Sequence, residues 1–300
     1  MGKSTRRKRK ERRRKALGAG ILAAVVVLTL AVGGYVAQRH YRSVSLDPET
    51  MCPADRMPSA HVAVLIDASD PLNPVQREFV AKYLRSLRDE IPQYGKFALY
   101  VLQDPERQVV DPVLSLCNPG DGRDASFIDE NPRQIRARWR QGFAEPLEQA
   151  IGRTLDAPPS GTSPIAEMIA AVAVDAFPVG PGAPRSAASA ASAGYGATGG
   201  GEGGSGRSAA RRLIVVSDLL QNSEKLSHYG RRAAELPDLA GSEAVEPLIA
   251  DLSGVEVTAL YLSRAEGAGE RLQGRDHVRH WETLLDRCGA LLMEVQRVPG

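Results

Sequence analysis

The sequence predicts an α/β protein: a doubly wound, mostly parallel sheet with one antiparallel edge strand, preceded by a single transmembrane helix. Three observations lead there. Short aliphatic runs alternate with amphipathic helical stretches along most of the chain, the signature of strands joined by crossover helices. Two of those runs, His61–Asp67 and Leu213–Asp218, are continuous in Val, Ile and Leu and end on acids, with Ser69 and Asp70 after the first and Ser217 within the second. A run of that kind reads as a strand buried on both faces, and a polar cluster at its carboxyl end lies where open α/β sheets place ligands. The third observation is residues 16–36, which carry no charge and match a hydrocarbon core roughly 30 Å thick.

Residues 1–15 form a basic tail with ten Lys or Arg and one Glu, a local charge of +9. Since the whole chain carries +2, residues 16–300 carry −7, which argues against a nucleic-acid binder. The run at 16–36 is longer than a signal h-region and lacks a good small-residue cleavage site, so it is expected to stay as an anchor. The basic flank should remain cytoplasmic and could also touch anionic head groups. This places the protein in an inner (cytoplasmic) membrane, with the main domain periplasmic or extracellular. The Arg-, Ala- and Gly-rich composition gives a bacterial impression.

Residues 37–60 contain three prolines and no hydrophobic period, and are predicted as a linker to a domain at 61–300. Strand Val62–Ile66 opens that domain. Apolar residues at Phe79, Val80, Tyr83, Leu84, Leu87 and Ile91 give Val75–Ile91 one helical face, bounded by Pro74 and Pro92. Phe97–Leu102 is the next strand; a turn at Asp104 and a return over Val109–Leu116 predict a hairpin, with Pro112 marking the edge. Helices follow over Asn131–Leu155 and Ile165–Ala176, the second with Ser163 as N-cap, Pro164 at N1 and Glu167 at the reciprocal capping position. Residues 178–210 are Gly, Ala, Ser and Pro with few aliphatics, a predicted disordered insertion. A loop of that length is tolerated because closure entropy rises only logarithmically. Strand Leu213–Val216, an amphipathic region to Leu252, strand Val255–Leu262, helix Asp276–Cys288 and strand Leu291–Val298 complete the alternation.

An exported domain can hold a disulfide. Cys52 and Cys117 are the favoured pair because both lie in irregular segments; three free thiols are the alternative, and no Cys-x-x-Cys spacing suggests a metal or redox site. The histidines show no ligand spacing, and His277 and His280, three apart on a helix, are expected to face solvent. Trp139 and Trp281 read as packing residues.

With Asp-x-Ser after the first strand, Thr-Ser-Pro opening a middle helix and Ser-Asp after a later strand, residues 60–298 resemble the von Willebrand factor A domain family. The resemblance implies a Rossmann-like sheet and a metal-ion-dependent adhesion site, in which Asp-x-Ser-x-Ser, a separate Thr and a separate Asp hold a divalent cation. On this chain Asp67 and Ser69 match the first two positions, and Pro71 replaces the second Ser. Ser163, followed by Pro164, fits the Thr position better than Thr162, and Asp218 matches the last. Asp70 offers a further oxygen. Mg²⁺ or Mn²⁺ held this way keeps an open position that a partner's carboxylate completes. The alternative is a site that no longer binds a cation, its acids bonded to backbone amides at helix starts.

The expected function is therefore a membrane-anchored, non-catalytic module that binds a protein partner in an envelope assembly. The alternative is a metal-dependent hydrolase using Asp67 and Asp218. Against a dehalogenase-type phosphatase, Ser69 stands where a second Asp is needed. A two-metal nuclease would need a basic groove. No phosphate-binding Gly-x-x-x-x-Gly-Lys loop occurs, so no nucleotide is expected.

Overall fold

The computed structural model describes residues 22, 24–35, 44–102, 111–123, 131–156, 162–177, 210–264 and 266–300. The chain divides into two units, Met1–Ser45 and Leu46–Gly300. In the first, residues 24–35 are helical with their large apolar side chains exposed. The hydroxyl of Thr29 donates to the carbonyls of Val25 and Val26 at 3.0 and 2.9 Å, so that hydroxyl is satisfied within the helix. Among the described residues no helix is long and apolar enough to cross a membrane. Residues 1–21, 23 and 36–43, including both ends of the predicted span, lie outside the described set.

In the second unit six strands form one sheet in the order β3-β2-β1-β4-β5-β6. They are β1 (Ala60–Asp67), β2 (Lys96–Leu102), β3 (Leu114–Cys117), β4 (Ala210–Ser217), β5 (Val255–Leu262) and β6 (Leu292–Val298). Among these described strands only β3 runs antiparallel, on β2 at the sheet edge. This mostly parallel α/β sheet fits the fold that the resemblance implies. Alternation sorts the side chains by face. Leu65 and Val215 belong to one buried cluster with the helix Ile165–Ala176 and Trp281, while Val64, Ile66, Ile214 and Val216 belong to the other with Val80, Leu84 and Leu147. Both faces are covered, which is why the strands read as unbroken aliphatic runs rather than alternating ones.

The helices begin where the local chemistry places them. Asn73 caps Pro74–Glu90 by accepting from the amide of Gln76, whose side chain reaches back to the Asn73 amide. Asn131 caps Pro132–Trp139 by accepting from the amide of Arg133, without a reciprocal bond; a five-residue π segment, Arg140–Ala144, then joins it to Glu145–Leu155.

Several expectations are corrected. The return strand pairs with β2 only over Leu114–Cys117, beyond Pro112, which cannot donate to the ladder; residues 103–110 lie outside the described set. The predicted linker does not run to residue 60. Leu46 pairs with Pro53, the amide of Cys117 donates to the carbonyl of Thr50, and Cys52 is joined to Cys117 with Cα atoms 4.7 Å apart, so residues 46–59 belong to the folded unit. Ala210 already lies in β4; residues 178–209 of the predicted insertion are outside the described set. Cys288 is a buried free thiol.

Candidate functional site

Strands β1 and β4 are parallel neighbours with Ile66 opposite Val216, so Asp67 and Ser217 emerge side by side at the carboxyl end of the sheet. Chain connections leave this pair in opposite directions, β1 toward β2 and β4 toward β5. A crevice therefore opens there, the switch point at which doubly wound sheets bind ligands. Asp67 continues the alternation of Ala63 and Leu65 onto the face covered by the helix Ile165–Ala176. The segment leading into that helix carries Ser163, whose amide and carbonyl bond to Asn222 at 3.0 and 2.8 Å. Two loops distant in sequence are thereby stitched together over the end of β1.

The carboxylate of Asp67 is fully engaged. One oxygen accepts from the hydroxyls of Ser163 (2.8 Å) and Ser217 (2.7 Å), the other from the amide of Ser69 (2.9 Å). Asp218 accepts from the amide of Leu220 at 2.9 Å and from Arg264 Nε at 2.7 Å. The same guanidinium reaches Asp70 through Nη2 at 2.8 Å. Asp67 and Asp218 are 5% and 2% exposed, so their charges depend on these donors rather than on water. Burial pushes the Asp218 carboxyl above its ordinary range and the charge of Asp67 adds to the rise; Arg264 and the Leu220 amide pull it back down. Burial also opposes the charge on Arg264, yet Asp218, Asp70 and Asp67 together hold that guanidinium more firmly protonated than usual.

The structure thus brings Asp67, Ser163 and Asp218 to one crevice, with Ser69 and Asp70 on the loop after β1. Ser69 contributes its amide, and Pro71 no side-chain oxygen. Ser163 does not cap its helix, because its hydroxyl is committed to Asp67. Gln221 does that work instead, its Oε1 accepting from the amide of Ala166 at 2.9 Å. Glu167 is not a reciprocal cap either; it accepts from Gln221 and Ser223. As arranged, these residues do not fit a divalent cation: Asp218 and Asp70 are ion-paired to an arginine, and among the described residues no group of three or more His, Cys, Asp or Glu is placed to hold a metal.

Two contributors escaped the sequence reading. Ser217 stands in the strand-end motif itself and could have been included as the residue level with Asp67. Arg264 lies two residues past β5, the strand beside β4, and its position at the same rim follows only once strand order is known.

The histidines also depart from expectation. His228, His277 and His280 are wholly buried. The carbonyls of Leu236 and Leu219 can only accept, so His280 Nδ1 (2.7 Å) and His277 Nε2 (3.0 Å) carry protons. His228 Nε2 then donates to His280 Nε2 at 3.1 Å, His277 Nε2 also faces His228 Nδ1 at 3.3 Å, and the Tyr261 hydroxyl donates to His277 Nδ1 at 2.6 Å. With all three rings neutral, every ring nitrogen is matched. Burial and the neighbouring rings push His228 down to about 2; burial pushes His277 down to about 4 and lowers His280. Trp281 Nε1 donates to the same Leu219 carbonyl at 2.9 Å. Leu219, directly after Asp218, has φ +59°, a strained conformation for a leucine, and this clamp on its carbonyl holds it there.

No family model matches the chain, and no curated protein matches it. Solved structures share its outline weakly. A conserved hypothetical protein, BatB, from Bacteroides thetaiotaomicron is 12% identical, with a TM-score of 0.37 over 79% of this chain and 90% of that one. An aerotolerance-related membrane protein from Bacteroides fragilis is 13% identical, with a TM-score of 0.33 over 79% of this chain and 92% of that one. Similarity at this level assigns the chain to no family.

Proposed function

We propose that this chain is a membrane-anchored, non-catalytic von Willebrand A-like module that binds a protein partner, within an envelope-associated assembly, at the carboxyl-end rim of its sheet. The observation that carries this reading is that both strand-end carboxylates are already held by donors within the protein. Asp67 accepts three hydrogen bonds and Asp218 two, so neither stands free as a nucleophile or general base, as the hydrolase reading requires. What the rim offers outward is Arg264, its side chain 23% exposed, beside the half-exposed Asp70.

The anchor reading is supported by the uncharged run at 16–36, the exposed apolar surface of residues 24–35 and the +9 tail before them. The disulfide favours a domain on the oxidising side of the membrane. The test is crosslinking capture from membranes by the anchored protein. The wild type is expected to retain a partner that Asp67→Ala/Asp218→Ala loses at least about tenfold, equivalent to about 1.4 kcal/mol. Phosphatase or nuclease turnover by the wild type, abolished in Asp67→Ala, contradicts the reading.

A further inference from the structure

We infer that Arg264 is the resident cation of this crevice: its guanidinium occupies the place of a divalent ion, and partner binding here is independent of metal. The inference rests on the binding reading above and gives its cation an identity. Arg264 bonds to Asp218 and Asp70 at the rim, and the charge of Asp67 also acts on its guanidinium. Against one guanidinium the three acids keep a net charge of −2. A divalent ion could reach Asp218 and Asp70 only by displacing the guanidinium already bonded to both.

Arg264 is built into the site rather than swung onto it from the surface. Its amide donates to Gln273 Oε1 at 2.8 Å, while Gln273 Nε2 donates to the carbonyls of Asp218 (3.1 Å) and Leu262 (2.9 Å). One glutamine side chain thus ties the backbone of Arg264 to that of its ion-pair partner. From the other side Gln76 Nε2 donates to the carbonyl of Ser263 at 2.9 Å. The guanidinium is delivered by two buried or half-buried glutamines to the strand-end acids, as a metal would be delivered by its ligands. The replacement of an oxygen donor by Pro71 then costs nothing, since the cation held here needs hydrogen-bond acceptors rather than a full oxygen shell.

The test is thermal melting of the full chain in detergent with millimolar Mg²⁺, Mn²⁺ or chelator at matched ionic strength. The wild type is expected to melt at the same temperature in all three. Arg264→Gln is expected to melt lower and to recover several degrees with either ion, since it leaves three carboxylates without their cation. That recovery should be lost in Arg264→Gln/Asp67→Asn. Arg264→Lys, which keeps the charge, should stay indifferent to metal. If Arg264→Gln does not fold alone, the folded fraction recovered on refolding with Mn²⁺ reads the same quantity. A metal-dependent shift in the wild type that Asp67→Ala removes overturns the inference, and so does an Arg264→Gln variant that neither ion restores. None of these readouts needs the partner, so failure to capture one would leave this result standing.

Discussion

Acidifying the protein from pH 7 to pH 5 is expected to remove on the order of 4 kcal/mol of stability, through His228 and His277 alone. Both are buried as neutral rings, pushed down to about 2 and about 4. In the unfolded chain they return to about 6.5, so below that pH the unfolded state binds protons that the folded state refuses. Their contribution is therefore complete above pH 6.5 and is lost as pH falls toward the folded values. His280, also lowered, acts in the same direction, and the nearby positive charge of Arg231 adds to the resistance of His228. Urea midpoints between pH 7 and 5 check this, in a window above the range where ordinary carboxylates titrate. Stability that stays flat there would show that the three rings do not form the neutral chain. Because that chain holds the Leu219 carbonyl, acid should also loosen the backbone that aims Asp218.

Reducing the Cys52–Cys117 bridge is expected to cost about 4 kcal/mol, the chain-entropy value for a closed loop of this size. The two residues are 65 apart, and the bridge joins the segment before β1 to the edge strand β3. Other ties from residues 46–59 to the rest of the unit include the backbone bonds of Cys117 to Thr50 and Ser59 to Tyr94, and the Ser59 hydroxyl on the Gln93 carbonyl. Melting with and without reductant, and of Cys52→Ser/Cys117→Ser, reads the effect. A wild type indifferent to reductant would contradict it. Cys288, buried and unpaired, should not confuse the comparison while the protein is folded.

The sheet was legible in the sequence because its physics is local. Val255–Leu262 and Ile165–Ala176 occur with the predicted bounds, and the Asp67 and Asp218 strand ends announce themselves by an abrupt change from aliphatic to acidic. The site was only half legible. Residue type and strand position point to both acids, yet a list of oxygen donors does not show what already occupies them. Ser163 illustrates the difficulty: its place before Pro164 suits a helix cap, and only the three-dimensional proximity of Asp67 decides where its hydroxyl goes. Arg264 follows an ordinary strand and belongs to the site solely because β5 lies beside β4. The histidines misled for a related reason. A spacing of three on a charged helix looks solvent-facing, but His277 and His280 flank the stripe of Trp281, Leu284 and Leu285 and share its burial.

At the centre of the site a guanidinium is held by a strand-end acid across 46 residues of chain. A double-mutant cycle measures that contact directly: Asp218→Asn, Arg264→Gln and the double variant, each unfolded in urea at pH 7. Direct pairing predicts a coupling energy of about 1–3 kcal/mol, the double variant losing much less than the sum of the single losses. Losses that add to within about 0.5 kcal/mol would mean that the two side chains do not meet, leaving the crevice without the cation assigned to it.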